Sequence, residues 1–173
     1  MWKTVGAAAL LATIGCGSSD GTGPNNSNPL CTITISGAAA IAGTYTCAQA
    51  PITLWVPSTN TSAVTVNISG TKSITGLFVF SGKPTAGATY QSTNSAGLQS
   101  YGFVVSVGTA TWEFSAGQQS APLGSGTLSF TSVDPLAANV NGSVYDAHGT
   151  MDANLVPGPG TTATGNATLH VVF

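Results

Sequence analysis

The chain has 173 residues, with three lysines, no arginine, five acidic residues and a formal net charge of −2. So few cations exclude nucleic-acid binding, which needs clustered Lys or Arg to displace counterions from phosphates, and they exclude an arginine clamp on phosphate or carboxylate. A surface this poor in charge must be covered by Ser, Thr, Asn, Gln and Gly, which suits an exported protein, and the 42% hydrophobic content is enough to give one domain a core.

In chain order, residues 1–15 come first as a secretory signal. Lys3 is the cationic start, Val5 to Ile14 the apolar run, and Gly15 the small residue at the cleavage site. The run falls well short of the roughly 18 to 20 residues that a membrane-spanning helix needs. Ending on Gly15-Cys16, the stretch resembles the signal of bacterial lipoproteins, which are cut before the cysteine and lipidated on its sulfur. The resemblance covers residues 1–16; the position three before the cysteine, usually Leu in that family, is Thr13. It implies diacylation and N-acylation of Cys16. Because Gly17 and not Asp follows, it also implies sorting to the outer membrane of a double-membraned cell. If cleavage does not occur before Cys16, the protein is secreted free. Residues 16–29 then form the lipidated cysteine and a tether whose Gly, Ser, Asp, Thr, Pro and Asn offer nothing to pack.

From Leu30 onward the pattern becomes short apolar–polar runs broken by Gly, Pro, Ser and Asn. It predicts strands near 30–36, 41–48, 52–56, 63–69, 74–81, 101–108, 110–115, 126–133, 143–155 and 165–173. No window sustains a helical period. The expectation is a single all-β domain over 30–173, an antiparallel β-sandwich of about ten short strands, with a small closed β-barrel as the alternative. Ile74 to Phe80, apolar on both parities, is expected to be a central strand covered on both faces. Ala167, Leu169, Val171 and Phe173 alternate like the closing strand of an outer-membrane barrel. A strand whose apolar face lies in a soluble core gives the same pattern.

With Cys16 given to the lipid, Cys31 and Cys47 remain. In an oxidising compartment they pair most simply as one disulfide, and their strand parities place them opposite each other if 36–40 turns the chain. A loop of about 15 residues closed in this way contributes roughly 3 kcal/mol in the chain-entropy model. Two buried free thiols are the alternative.

The densest ionisable group lies at the end of the chain. Asp146, His148, Thr150, Asp152 and Asn154 share one strand parity, and Tyr145, Ala147, Gly149, Met151, Ala153 and Leu155 the other. A hairpin centred on Pro157-Gly158-Pro159-Gly160 sets His170 opposite Thr150, diagonal to both His148 and Asp152. That patch reads first as a solvated outer face. The same residues, His148, His170, Asp152 and Asp146, are also candidate metal ligands or hydrolytic groups, since imidazole and carboxylate suit zinc or copper. No Gly-x-Ser-x-Gly elbow is present; Gly124-Ser125-Gly126 reads as a turn and Asp134-Pro135 as a turn start. Trp112, Phe103, Phe114 and Phe130 fall on core parities. Trp55, Tyr90, Tyr101 and Tyr145 are candidates for a sugar-stacking face.

The leading expectation is a lipid-anchored envelope protein with a non-enzymatic structural, adhesion or binding role and no cofactor. Its expected partners are the membrane, through the anchor, and a cell-surface or carbohydrate ligand. A metal-binding or hydrolytic domain and a carbohydrate-binding module stand as the alternatives.

Overall fold

The computed structural model describes residues 30–47, 49–92, 98–117, 120–139 and 142–173; of 98–101, 116–117 and 120–123 only the backbone is described. The signal, Cys16 and the tether therefore lie outside the described residues, as does the side chain of Tyr101. The described residues form twelve strands and no helix: β1 (Thr32–Gly37), β2 (Gly43–Thr46), β3 (Ile52–Val56), β4 (Thr61–Ile68), β5 (Ser73–Ser81), β6 (Thr89–Gln91), β7 (Leu98–Val107), β8 (Ala110–Gly117), β9 (Ser120–Leu123), β10 (Ser125–Asn139), β11 (Gly142–Pro157) and β12 (Ala167–Val172).

The pairings among them are antiparallel. One run, β2–β1–β12–β11–β10–β6, forms one layer, and another, β3–β4–β5–β7–β8–β9, forms the other. The long β11 hydrogen-bonds into both: Ser143–Tyr145 pair with β3, and Val156 and Pro157 pair with β8. One hydrogen-bonded network is thus folded over into the two layers of a β-sandwich, the architecture expected from the short alternating runs.

Alternation places the core. Along β12 the side chains of Ala167, Leu169 and Val171 are buried while Thr168, His170 and Val172 are exposed. This is the reverse of a lipid-facing strand, whose apolar side points outward. Phe80 of β5 packs against Tyr90 of β6 at 4.3 Å and Phe130 of β10 at 5.7 Å, so aromatics from the two layers meet in the middle. Phe130 in turn meets Phe173 edge-on at 6.2 Å. Each such fully buried Phe or Leu side chain stabilises the fold by about 1.5–3 kcal/mol relative to its exposed state.

The Cys31–Cys47 disulfide ties the chain just before β1 to the residue after β2, with Cα atoms 5.1 Å apart. The β1–β2 register, Thr32 opposite Thr46, puts the two cysteines one step beyond the last pair, and the Cys47 amide donates to the Cys31 carbonyl.

Several expectations are corrected. β5 is central within its layer, between β4 and β7, but only its inner face is covered: Ile74, Phe78 and Phe80 are buried, whereas Leu77 is 42% exposed. A two-layer sandwich leaves the outer face of every strand open, so apolar residues on both parities do not imply double burial. Asp134 and Pro135 do not start a turn; they lie inside β10, which runs on to Asn139 with register shifts at Phe130/Ser132 and Pro135/Ala137. Irregularities of this kind, a proline and a charge are features that blunt a free strand edge. Two short strands, β6 and β9, were not foreseen, since three or four residues leave too little alternation to read. The β11–β12 hairpin is centred on Thr161 and not on the Pro-Gly repeat, which moves the register by two residues and sets Asp152 opposite His170. Thr161 holds that wider turn together: its hydroxyl donates to the Gly158 carbonyl at 3.0 Å, and the Gly158 amide donates to Thr111 of β8 at 2.9 Å.

Candidate functional site

The outer face of the β12–β11–β10–β6 layer carries the chain's polar parity. Register and alternation together line up Thr34, His170, Asp152, Thr127 and Gln91 as one row across β1, β12, β11, β10 and β6. Beside it run Ser36, Thr168, Asn154 and Ser125. Over these rows lies a groove of about 420 Å³, lined by Gln91, Ser92, Ser125, Thr127, Asp152, Asn154 and Thr168, with Gly126, Ala153 and Leu169 at its floor. Gly126, Ala153 and Leu169 are buried residues on the inward parity, so what they present to the groove is strand backbone.

At the centre of the row His170 and Asp152 are directly opposed, and His170 Nδ1 donates to Asp152 Oδ1 at 2.6 Å. Both side chains stay about half exposed, at 49% and 57%. Around them Asn154 Nδ2 donates to Ser125 Oγ at 2.8 Å, the Thr168 hydroxyl meets that of Ser36 at 2.9 Å, and Ser92 Oγ accepts from the Gly126 amide at 2.9 Å. The lining holds one carboxylate and no lysine. Lys72 lies elsewhere, donating to the Tyr45 hydroxyl at 3.0 Å, and Lys83 sits 4.4 Å over the Trp55 ring.

His148 and Asp146 share the polar parity as expected but form a separate exposed pair, Nε2 to Oδ1 at 3.7 Å. Along β11, His148 is four residues from Asp152, about 13 Å at the usual rise per residue, far outside the reach of one metal ion with bonds near 2 Å. Among the described residues no three His, Cys, Asp or Glu side chains are grouped to hold a metal. The expected convergence of His148, His170, Asp152 and Asp146 is therefore replaced by two independent His–Asp couples, because the two-residue register shift moved His170 away from His148.

The aromatic candidates whose side chains are described build no platform on the outer face: the pairings Tyr145–Thr53, Ser143–Trp55 and Leu128–Tyr90 set Tyr145, Trp55 and Tyr90 on the inward parity. Tyr90 turns inward against Phe80 and Phe130, and this burial pushes its phenol above the usual range. Trp55, on the opposite layer, is half-buried beneath Lys83; its buried indole N–H and the fully buried hydroxyl of Thr53, two residues earlier on the same parity, have no partner among the described residues. Tyr145 is half-buried. Trp112 fills the core as expected, its Nε1 donating to the Gly165 carbonyl at 3.0 Å.

Sequence reasoning found Asp152 and His170 but missed Gln91, Thr127 and Thr168, which become neighbours only through strand order. Their one sequence signal was an outward parity filled by hydroxyls and amides. Comparison with protein-family models, with curated proteins and with solved structures finds no match to this chain.

Proposed function

We propose that the chain is an exported, lipid-anchored β-sandwich of a bacterial cell envelope that acts by holding a ligand at the outer face of the β12–β11–β10–β6 layer. The Cys31–Cys47 disulfide carries this reading. Such a bridge persists in oxidising compartments outside the cytoplasm, and it closes the domain directly after the tether that would lead to Cys16. The Gly15-Cys16 junction, with its lipoprotein-like signal, supports an anchor at that cysteine, and the triple acylation it implies would make attachment stable where one chain is marginal. A binding role is supported by the groove, whose side chains offer hydrogen-bond donors and acceptors on an otherwise ordinary sheet surface.

Fractionation of cells making the Cys16→Ala chain tests the reading. The wild type is expected in the membrane fraction and the variant in the soluble or secreted fraction, with a matching loss of acyl mass. A variant that stays membrane-bound overturns the anchor.

A further inference from the structure

We infer that the groove takes a neutral polyhydroxylated ligand, a sugar or short oligosaccharide, bound by hydrogen bonds without aromatic stacking; the inference rests on the reading of the chain as an envelope binding module.

The charge of the lining selects the class. Asp152 is the one acidic side chain of the lining, and both lysines of the domain are engaged elsewhere. A phosphate, sulfate or uronate would meet a carboxylate with no lysine or arginine in the lining to clamp it, whereas an uncharged hydroxyl donates to that carboxylate in a strong, charge-assisted bond. The geometry of Asp152 suits this. His170 engages Oδ1, which restrains the carboxylate and leaves Oδ2 without a hydrogen-bond partner among the described residues, available as an acceptor. His170 is thus a positioning residue.

The remaining polar atoms match a polyol, each of whose hydroxyls both donates and accepts. The side chains of Gln91 and Thr127 have no hydrogen-bond partner among the described residues, so an amide and a hydroxyl of both capacities are available to the ligand. Asn154 spends its amide N–H on Ser125 and keeps its carbonyl oxygen as an acceptor. A volume of about 420 Å³ lies within the range of small-molecule sites and has room for about two sugar rings. Among the described residues no aromatic lines the groove to supply the stacking on which many sugar sites rely, so affinity comes from this polar set, and modest strength is expected.

The test is titration of the full chain, purified in detergent, with a panel of neutral disaccharides and oligosaccharides built from glucose, galactose, mannose and N-acetylglucosamine, together with uronate counterparts. Binding is followed by calorimetry and by the amide resonances of Thr127, Asp152 and Asn154. At least one neutral sugar is expected to bind and shift those resonances. Asp152→Asn should weaken it about tenfold or more, and Thr127→Val several-fold. His170→Ala should weaken it less than Asp152→Asn does, and His170→Gln, which can still donate to the carboxylate, should restore part of the loss. Uronate counterparts should bind about tenfold more weakly. These substitutions lie on the exposed face, so an unchanged denaturation midpoint shows that each variant is folded. Absence of binding across the neutral panel, binding indifferent to Asp152→Asn and Thr127→Val, or equal binding of the uronates would each overturn the inference. If the sugars fail while the Cys16→Ala chain is released as expected, the ligand class is wrong and the anchored module stands. If that chain stays membrane-bound while the sugars bind, the anchor fails and the site stands.

Discussion

The ring of Phe103 lies across the backbone of Gly76, its cross-strand partner on β5, in the space that a β-carbon at position 76 would occupy. Gly76 is therefore required by a close approach of an aromatic ring and not by its own backbone angles. Phe103 is wholly buried and meets Phe78 edge-on at 6.5 Å, so it cannot swing away without disturbing a second ring. Gly76→Ala should lower stability by about 1–3 kcal/mol, the usual cost of overpacking a filled core. Gly126→Ala, which would strike the ring of Phe114, should behave in the same way. Urea denaturation of both variants checks this; unchanged midpoints would mean that the rings yield freely.

Cys31 and Cys47 are separated by 16 positions, and both are buried at the end of the β1–β2 hairpin. Removing the bridge frees that hairpin in the unfolded chain. The double Cys31→Ala, Cys47→Ala variant should lose roughly 3 kcal/mol, and reduction of the wild type should lower its midpoint similarly. Thiol titration of the unreduced wild-type protein in denaturant is expected to detect no free thiol at either position. Finding two there would contradict the bridge.

Thr53 buries its hydroxyl completely, with no partner among the described residues. An unpaired buried hydroxyl gives up its water without replacement, and valine has the same shape without the polar group. Thr53→Val should therefore stabilise the domain by about 1 kcal/mol. The gain would appear as a raised melting temperature, and a loss of stability would show that the hydroxyl is satisfied in solution.

Tyr90 is the described group whose titration the fold clearly displaces, because burial beside Phe80 disfavours the phenolate and raises its pKa above the usual 10.0. The sign follows directly. Below pH 10 the phenol is neutral in both the folded and unfolded chain, and its contribution to stability is fully present. As pH rises from there through the higher folded value, the unfolded chain ionises first and stability falls. Absorbance titration at 295 nm should show a tyrosine that ionises above the usual phenol range and is lost in Tyr90→Phe, and that substitution should flatten the alkaline loss of stability.

By itself the sequence determined the class of the fold and the facing of its side chains. Val64, Val66 and Ile74, or Leu169 and Val171, alternate with polar residues because a strand buries one side, and no tertiary information is needed to read that period. Cys31 and Cys47 were equally legible, since a short hairpin leaves little freedom in their register. The tertiary structure decided everything that depends on strand order and on length of turn. Thr161 widens the last hairpin and moves His170 from Thr150 to Asp152, a shift by two residues that preserves every face and exchanges every partner. The groove likewise needs β6, a strand of three residues, to dock on β10 and bring Gln91 beside Thr127. Alternation is a local property of the backbone, whereas the neighbours of Asp152 are set by contacts between segments far apart in the chain, whose closure no local pattern encodes.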